Sequence, residues 1–216
     1  MMAFRYLRAR KSESFVSVIS AFSFLGIMLG VATLIIVMSV MNGFRAELTG
    51  RILGLNGHMN VVSNTGALRD YDQWIKILQD VEGVQVVLPQ VEKQALFSVN
   101  GASTGVMVRG LSQDNFNNKP VLNDSIIDGD MDAFNAGSGI IIGRELARQY
   151  RLFPGDEVVM LSPQGKASPF GTIPRSRRFE VSAVFDVEMY EYNRGFVFMP
   201  LLAAQQFFDL KDAVNT

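Results

Sequence analysis

The residues able to do covalent or metal chemistry are few, and their spacing argues against it. His58 is the one histidine, so no multi-histidine metal site can be assembled. There is no cysteine, which removes disulfides, thiolate zinc sites and thiol nucleophiles together. Four aspartates, Asp124, Asp128, Asp130 and Asp132, crowd one polar stretch. Carboxylates at alternate positions are the ligand set of a calcium loop. Asp128-Gly129-Asp130-Met131-Asp132 lacks the glycine and glutamate positions such a loop needs for its sharp turn and bidentate ligand. These acids read as a solvated loop, and His58, in Gly54-Leu55-Asn56-Gly57-His58, as a turn residue. No G-x-x-x-x-G-K-[ST] sequence offers its amides to a phosphate, and no G-x-S-x-G elbow presents a serine. The chain is therefore expected to be non-catalytic, with no ATPase activity of its own and no bound cofactor or metal. A net charge of −1 gives no electrostatic footprint for nucleic acid.

What remains is the chemistry of recognition, and it concentrates between Ser162 and Arg178. The stretch reads Ser-Pro-Gln-Gly-Lys-Ala-Ser-Pro-Phe-Gly-Thr-Ile-Pro-Arg-Ser-Arg-Arg. It is non-periodic and joins two candidate antiparallel strands, where a hairpin loop usually takes about 2–5 residues. Its prolines and glycines limit ordinary helix or sheet, and proline lowers the entropy lost on ordering. Phe170 stands between Pro169 and Gly171, with Lys166, Arg175, Arg177 and Arg178 around it. Two readings fit. One is an apolar tip on a semi-rigid basic arm that enters a partner's cavity. The other is a solvated loop whose phenylalanine folds back on its own domain.

The run from Ser14 to Phe44 positions everything else. It carries no charged residue and no proline. A bilayer needs only roughly 20 apolar helical residues, and without water the backbone must satisfy itself as a helix. A cleaved signal peptide would have an apolar region of about 7–15 residues ending in a small-residue site. This run instead exits through Val40-Met41-Asn42-Gly43-Phe44. Arg5, Arg8, Arg10 and Lys11 precede it, and only Arg45 and Arg51 follow closely. Basic flanks stay in the cytoplasm, so residues 1–13 are expected inside as a basic lead and residues 45–216 outside as the exported domain. Ser23, Gly26, Gly30 and Thr33 form a small-residue stripe containing a G-x-x-x-G pair. Such a stripe lets another helix pack closely in lipid, or simply reflects how common Gly and Ser are in spans.

Beyond the span, Arg45–Leu55 can continue the helix for two turns until Gly54 stops it. His58–Ser63 reads as a strand, and Asp70–Val81 as an amphipathic helix with Trp74, Ile77, Leu78 and Val81 on one face and Asp70 as its cap. Val84–Leu88 and Lys93–Val99 read as strands around Pro89. Asn100-Gly101 is a hairpin signal, with Thr104–Leu111 returning. Ser112–Ala136 is polar and turn-rich. Gly139–Gly143 is a short strand followed by a helix over Arg144–Tyr150 and a turn over Arg151–Asp156. Glu157–Leu161, Phe179–Phe185 and Phe196–Met199 are strands, and Leu201–Leu210 is an apolar helix. Short strands interspersed with helices predict an α+β outer domain.

Several of these stretches resemble a known family. Ser39-Val40-Met41-Asn42-Gly43-Phe44, Glu47-Leu48, Ile52-Leu53-Gly54-Leu55 and the Arg5–Arg10 lead resemble the permease subunits of lipoprotein-releasing ABC transporters, LolC and LolE. Ile140-Ile141-Ile142-Gly143-Arg144-Glu145-Leu146-Ala147, through Pro154-Gly155-Asp156, resembles the outer domain shared with MacB-type permeases. Ser168-Pro169-Phe170-Gly171-Thr172-Ile173-Pro174 looks like the protruding hook that a LolC-type subunit offers to the periplasmic carrier LolA. A phenylalanine at the tip replaces the family's methionine, one apolar residue for another.

The resemblance implies a membrane-anchored α+β chain of the bacterial inner membrane, with one transmembrane helix and a MacB-like periplasmic domain. It implies a second permease subunit, and LolD-like ATP-binding subunits that hold the ATP and magnesium. The assembly would extract lipoproteins from the outer leaflet and pass them to the LolA-like carrier. Pro169, Phe170, Gly171, Ile173, Pro174 and Arg177 would dock the carrier, and Val40 and Met41 would face lipid at the span exit. Family permeases carry four spans, three of them after the outer domain, and this chain shows one. It is therefore expected to be an N-terminal fragment, with a truncated gene product as the alternative. Two other functions fit: another MacB-type permease or mechanotransmitter, and a single-span anchored periplasmic interaction protein with no ATPase partner.

Overall fold

The computed structural model describes residues 14–64, 66–168 and 171–216. The basic lead, Thr65 and the hook-tip pair Pro169 and Phe170 lie outside the described residues. Helix α1 runs over Ser14–Asn56, 43 residues, or about 64 Å at 1.5 Å per residue. That is roughly twice the hydrocarbon thickness of a bilayer. It is long and apolar enough to cross a membrane, its most apolar window having a mean hydropathy of 2.5. The helix does not stop where the uncharged run stops. Ala46, Glu47, Leu48 and Arg51 are good helix formers, and Glu47 pairs with Arg51 one turn on at 2.7 Å. Nor does Gly54 end it, since one helical glycine costs only about 1 kcal/mol. The chain divides into two compact units, Met1–Leu53 and Gly54–Thr216, so the last turn of α1 belongs to the second unit.

The second unit holds a seven-stranded mixed sheet with short helices. Its strands are β1 (Val91–Val99), β2 (Ala102–Leu111), β3 (Ile126–Gly129), β4 (Gly139–Gly143), β5 (Glu157–Ser168), β6 (Gly171–Phe185) and β7 (Phe196–Pro200). The order is β3-β6-β4-β7-β2-β1-β5, and β5 also pairs with β6. That extra pairing closes β6, β4, β7, β2, β1 and β5 into a ring of hydrogen-bonded neighbours. Antiparallel β1 and β2 are joined by Asn100 (φ 49°) and Gly101 (φ 84°). Two positive φ values make the tight turn whose twist suits flanking strands.

Both faces of the central strands are buried. Ile140 and Ile142 of β4 enter one hydrophobic cluster with Val181, Val197 and Met199. Ile141 enters the other with Ala183, Phe185 and Phe198. Successive strand residues point to opposite faces, so a strand covered on both sides must be apolar throughout. This is why Ile140-Ile141-Ile142 has no polar alternation. Helices α6 (Arg144–Tyr150) and α8 (Leu201–Phe207) cover the first face.

Several expectations are corrected. His58–Ser63 and Val84–Leu88 are not strands; no neighbouring strand pairs with them among the described residues, and Met59, Val62 and Val86 are exposed. Helix α2 covers Tyr71–Gln79, and Asp70 stands before it in the left-handed region with no side-chain cap bond. Its apolar residues Trp74 and Ile77 are exposed. Ser112–Ala136 is not a plain solvated loop. It folds as α3 (Gln113–Asn117), α4 (Pro120–Asn123), β3 and α5 (Asp132–Asn135). Phe116, Leu122 and Phe134 bury one apolar side chain from each of these helices. A further short helix, α7 (Tyr190–Gly195), precedes β7.

Candidate functional site

The stretch between Ser162 and Arg178 continues both strands instead of looping. Beyond the root, Leu161 pairs with Ser176 and Ser162 with Arg175; the register then shifts, and Lys166–Ile173, Ala167–Thr172 and Ser168–Gly171 pair. The residues that spoke against a strand, Pro163, Gly165 and Pro174, fall at this shift. A bulge asks no ladder hydrogen bond of them, which is where proline is tolerated. β1 pairs with β5 only from Val159 to Leu161, and β4 pairs with β6 only from Glu180 onward. Among the described residues, the two strands outward of Ser162 and Arg175 pair with each other alone. The result is a two-stranded ribbon that carries Gly171, Ile173 and Pro174 of the sequence-predicted carrier-binding residues and has Arg177 at its root. Gly171 and Ile173 take strand positions in β6, and Pro174 is exposed.

The ribbon's root is packed and charged. Val158, Met160, Ser162 and Phe179 are buried. Arg175 donates to Asp209 Oδ2 at 2.7 Å and to the Gln206 carbonyl at 3.3 Å. Arg177 donates to Gln206 Oε1 at 3.4 Å, and its guanidinium lies 5.0 Å from the centre of the Phe179 ring. The basic residues of the root are thus tied to the end of α8, holding the ribbon's base to its own domain. Arg178 meets Glu157 at 3.6 Å with both side chains largely exposed, a pair worth little. An open cavity of about 260 Å³ lies beside the root, lined by Lys93, Gln94, Ser162, Pro163 and Phe208.

The small-residue stripe on α1 is open. A Cβ added at Gly26 or Gly30 would meet nothing within 4 Å, and Ser23 is exposed. The Thr33 hydroxyl is satisfied within the helix, donating to the Leu29 carbonyl at 2.8 Å. Val40 and Met41 are exposed. Two of the aspartates of 124–132 serve nearby backbone: Asp128 Oδ1 accepts from Gly129 N–H and Asp130 Oδ1 from Asp132 N–H, both at 2.9 Å. Among the described residues no group of three or more His, Asp or Glu is placed to hold a metal ion. One charged cluster escaped the sequence reading. It surrounds Arg109, which sits mid-strand in β2 and is 3% exposed; its neighbours come from distant segments, so no local pattern marks it.

Residues 20–216 match the family described as MacB-like periplasmic core domain. The chain belongs to the family of MacB-like periplasmic core domains. Among relatives of this MacB-like chain, the lipoprotein-releasing system transmembrane protein LolC of Xylella fastidiosa is 34% identical over 192 residues, covering 88% of this chain and 46% of that protein. LolC of Neisseria meningitidis serogroup B is 32% identical over 194 residues, with 88% and 46% covered. The chain thus spans about half the length of the curated relatives it matches. In fold, the extracellular domain of the noncanonic ABC-type transporter YknZ from Gram-positive bacteria is similar at 21% identity. It covers 70% of this chain and 72% of that one, with a TM-score of 0.43.

Proposed function

We propose that this chain is part of a permease subunit of an ABC transporter that extracts lipoproteins from the outer leaflet of the bacterial inner membrane and hands them to a periplasmic carrier. The observation that carries this is its 34% identity, along 88% of its length, to a protein named as a lipoprotein-releasing system transmembrane protein. In this reading α1 is a span with its N-terminus in the cytoplasm, and the MacB-like domain is periplasmic. ATP is bound and hydrolysed by a partner ATP-binding subunit, and a second permease subunit completes the lipid pathway. The β5–β6 ribbon docks the carrier. Its support is a pair of strands that, among the described residues, pair only with each other beyond Ser162 and Arg175, and a sequence that sets an aromatic between a proline and a glycine in the stretch joining them. The stripe of Ser23, Gly26, Gly30 and Thr33 receives a helix of the assembly.

Photo-crosslinking tests this directly. A photoreactive amino acid replaces Phe170 in the native-length permease, expressed in cells, and the expected product is an adduct with a periplasmic lipoprotein carrier. Adducts with cytoplasmic proteins only, or none from a correctly folded permease, would contradict the reading. Fusions of a periplasm-active reporter after Ser63 give the orientation, and activity there is expected.

A further inference from the structure

We propose that Arg109 is a positioning residue that seats the last turn of helix α1 in the outer domain, with Lys119 as a second donor to the same carbonyl. A helix ends with carbonyls that have no partner within the helix, and its C-terminus carries partial negative charge that cations stabilise. Here the Leu55 carbonyl accepts from Arg109 Nη1 at 2.9 Å and from Lys119 Nζ at 3.0 Å. Arg109 Nη2 also donates to Asn56 Oδ1 at 3.0 Å. The Asn56 amide in turn donates to the Tyr192 hydroxyl, and the Tyr192 ring stacks on Phe196 at 4.6 Å.

The arginine is built into the sheet from behind. Glu92 Oε2, on neighbouring β1, accepts from its Nε at 2.9 Å and its Nη2 at 2.6 Å. The Phe196 ring lies 5.0 Å from its guanidinium. A buried arginine needs such neutralisation, because an unpaired buried charge is costly. The strands therefore hold the guanidinium in place, and its remaining donors point at α1. Close packing supports the same seat. Leu55 is fully buried, and a Cβ at Gly54 would stand 2.7 Å from Val121 Cγ2. A plain core ion pair between Glu92 and Arg109 needs none of these contacts with residues 54–56.

Hydrogen exchange on the native-length protein in detergent micelles tests the seat, comparing the amides of residues 54–56 with those of β4. Arg109→Met should speed exchange at 54–56 by roughly tenfold or more, the scale of losing charged hydrogen bonds to one helix end. The β4 amides should keep their parent rates. Asn56→Ala leaves the Arg109–Glu92 pair intact and should speed the same amides less, again sparing β4; it decides the matter alone if Arg109→Met does not fold. Equal acceleration at β4 and at 54–56 would make Arg109 a support of the whole sheet. Parent rates at 54–56 in both variants would mean that these donors hold nothing. Either result overturns the proposal.

Discussion

Strand β6 has two halves with different neighbours. From Glu180 to Phe185 it lies beside β4, and from Ala183 it also meets β3 on its other edge. Val181, Ala183 and Phe185 are buried there. From Gly171 to Arg175 it pairs, among the described residues, only with a stretch of β5 that has no other strand partner, and at Pro174 it is exposed. Ser176 to Phe179 form the root between the two, with Phe179 buried. One continuous strand thus serves the core at one end and leaves it at the other. Changes in the inner half should alter stability without a specific effect on binding. Changes in the outer half should alter binding and spare stability.

Phe185→Ala is the harshest test of the inner half. Removing a fully buried aromatic costs about 3–5 kcal/mol, a large fraction of the roughly 5–15 kcal/mol that holds a domain. Urea unfolding should show the midpoint fall steeply, while the molecules still folded bind the carrier normally. Phe170→Asp probes the outer half. It places a carboxylate where an apolar cavity is expected, so carrier affinity should fall by more than about a hundredfold with little change in the unfolding midpoint. Arg177→Glu lies between the halves. It loses the Gln206 bond and the Phe179 contact, so stability should fall by about 1 kcal/mol or less. Binding should weaken several-fold by rough estimate, and that loss should shrink with added salt if the charge acts at a rim.

A pH dependence is expected outside the ribbon. Burial, and next the nearby Arg109, lower the Lys119 pKa from 10.5 to about 8, against the pull of Glu92. Between about pH 8 and 10 the unfolded chain therefore holds a proton that the folded chain has released, and stability rises with pH there. Thermal unfolding of the parent should gain on Lys119→Met as pH rises from about 8 toward 10. No relative gain would mean that the lysine is not held as described.

Local signals made much of this fold legible. Asn100-Gly101 marks its hairpin because both residues tolerate positive φ. Gly139–Gly143 and Arg144–Tyr150 appear as expected because an uninterrupted apolar run and a helical pattern each fit one short element. The ribbon was hidden because prolines at a bulge look like prolines in a loop. The short helices of 112–136 were hidden because each presents a single buried side chain, too few to show a period. Extended segments at 58–63 and 84–88 have strand-like composition, but pairing, not composition, makes a strand. Of the candidate site, the position of the arm was legible and its paired form was not. Arg109 was invisible, because a charged residue in a strand gives no sign that Glu92, Leu55 and Asn56 will converge on it.

The central claim is that the ribbon binds through its tip and is not part of the core. The most direct measurement is a titration of the native-length permease in detergent with the periplasmic carrier, for the parent and for Phe170→Ala, alongside thermal unfolding of both. Burying a phenylalanine ring contributes about 1.5–3 kcal/mol, and tenfold in affinity is about 1.4 kcal/mol. The account predicts a loss of roughly ten- to a hundredfold in carrier affinity at an unchanged melting temperature. Parent-like affinity with a sharply lowered melting temperature would make Phe170 a core residue and contradict it.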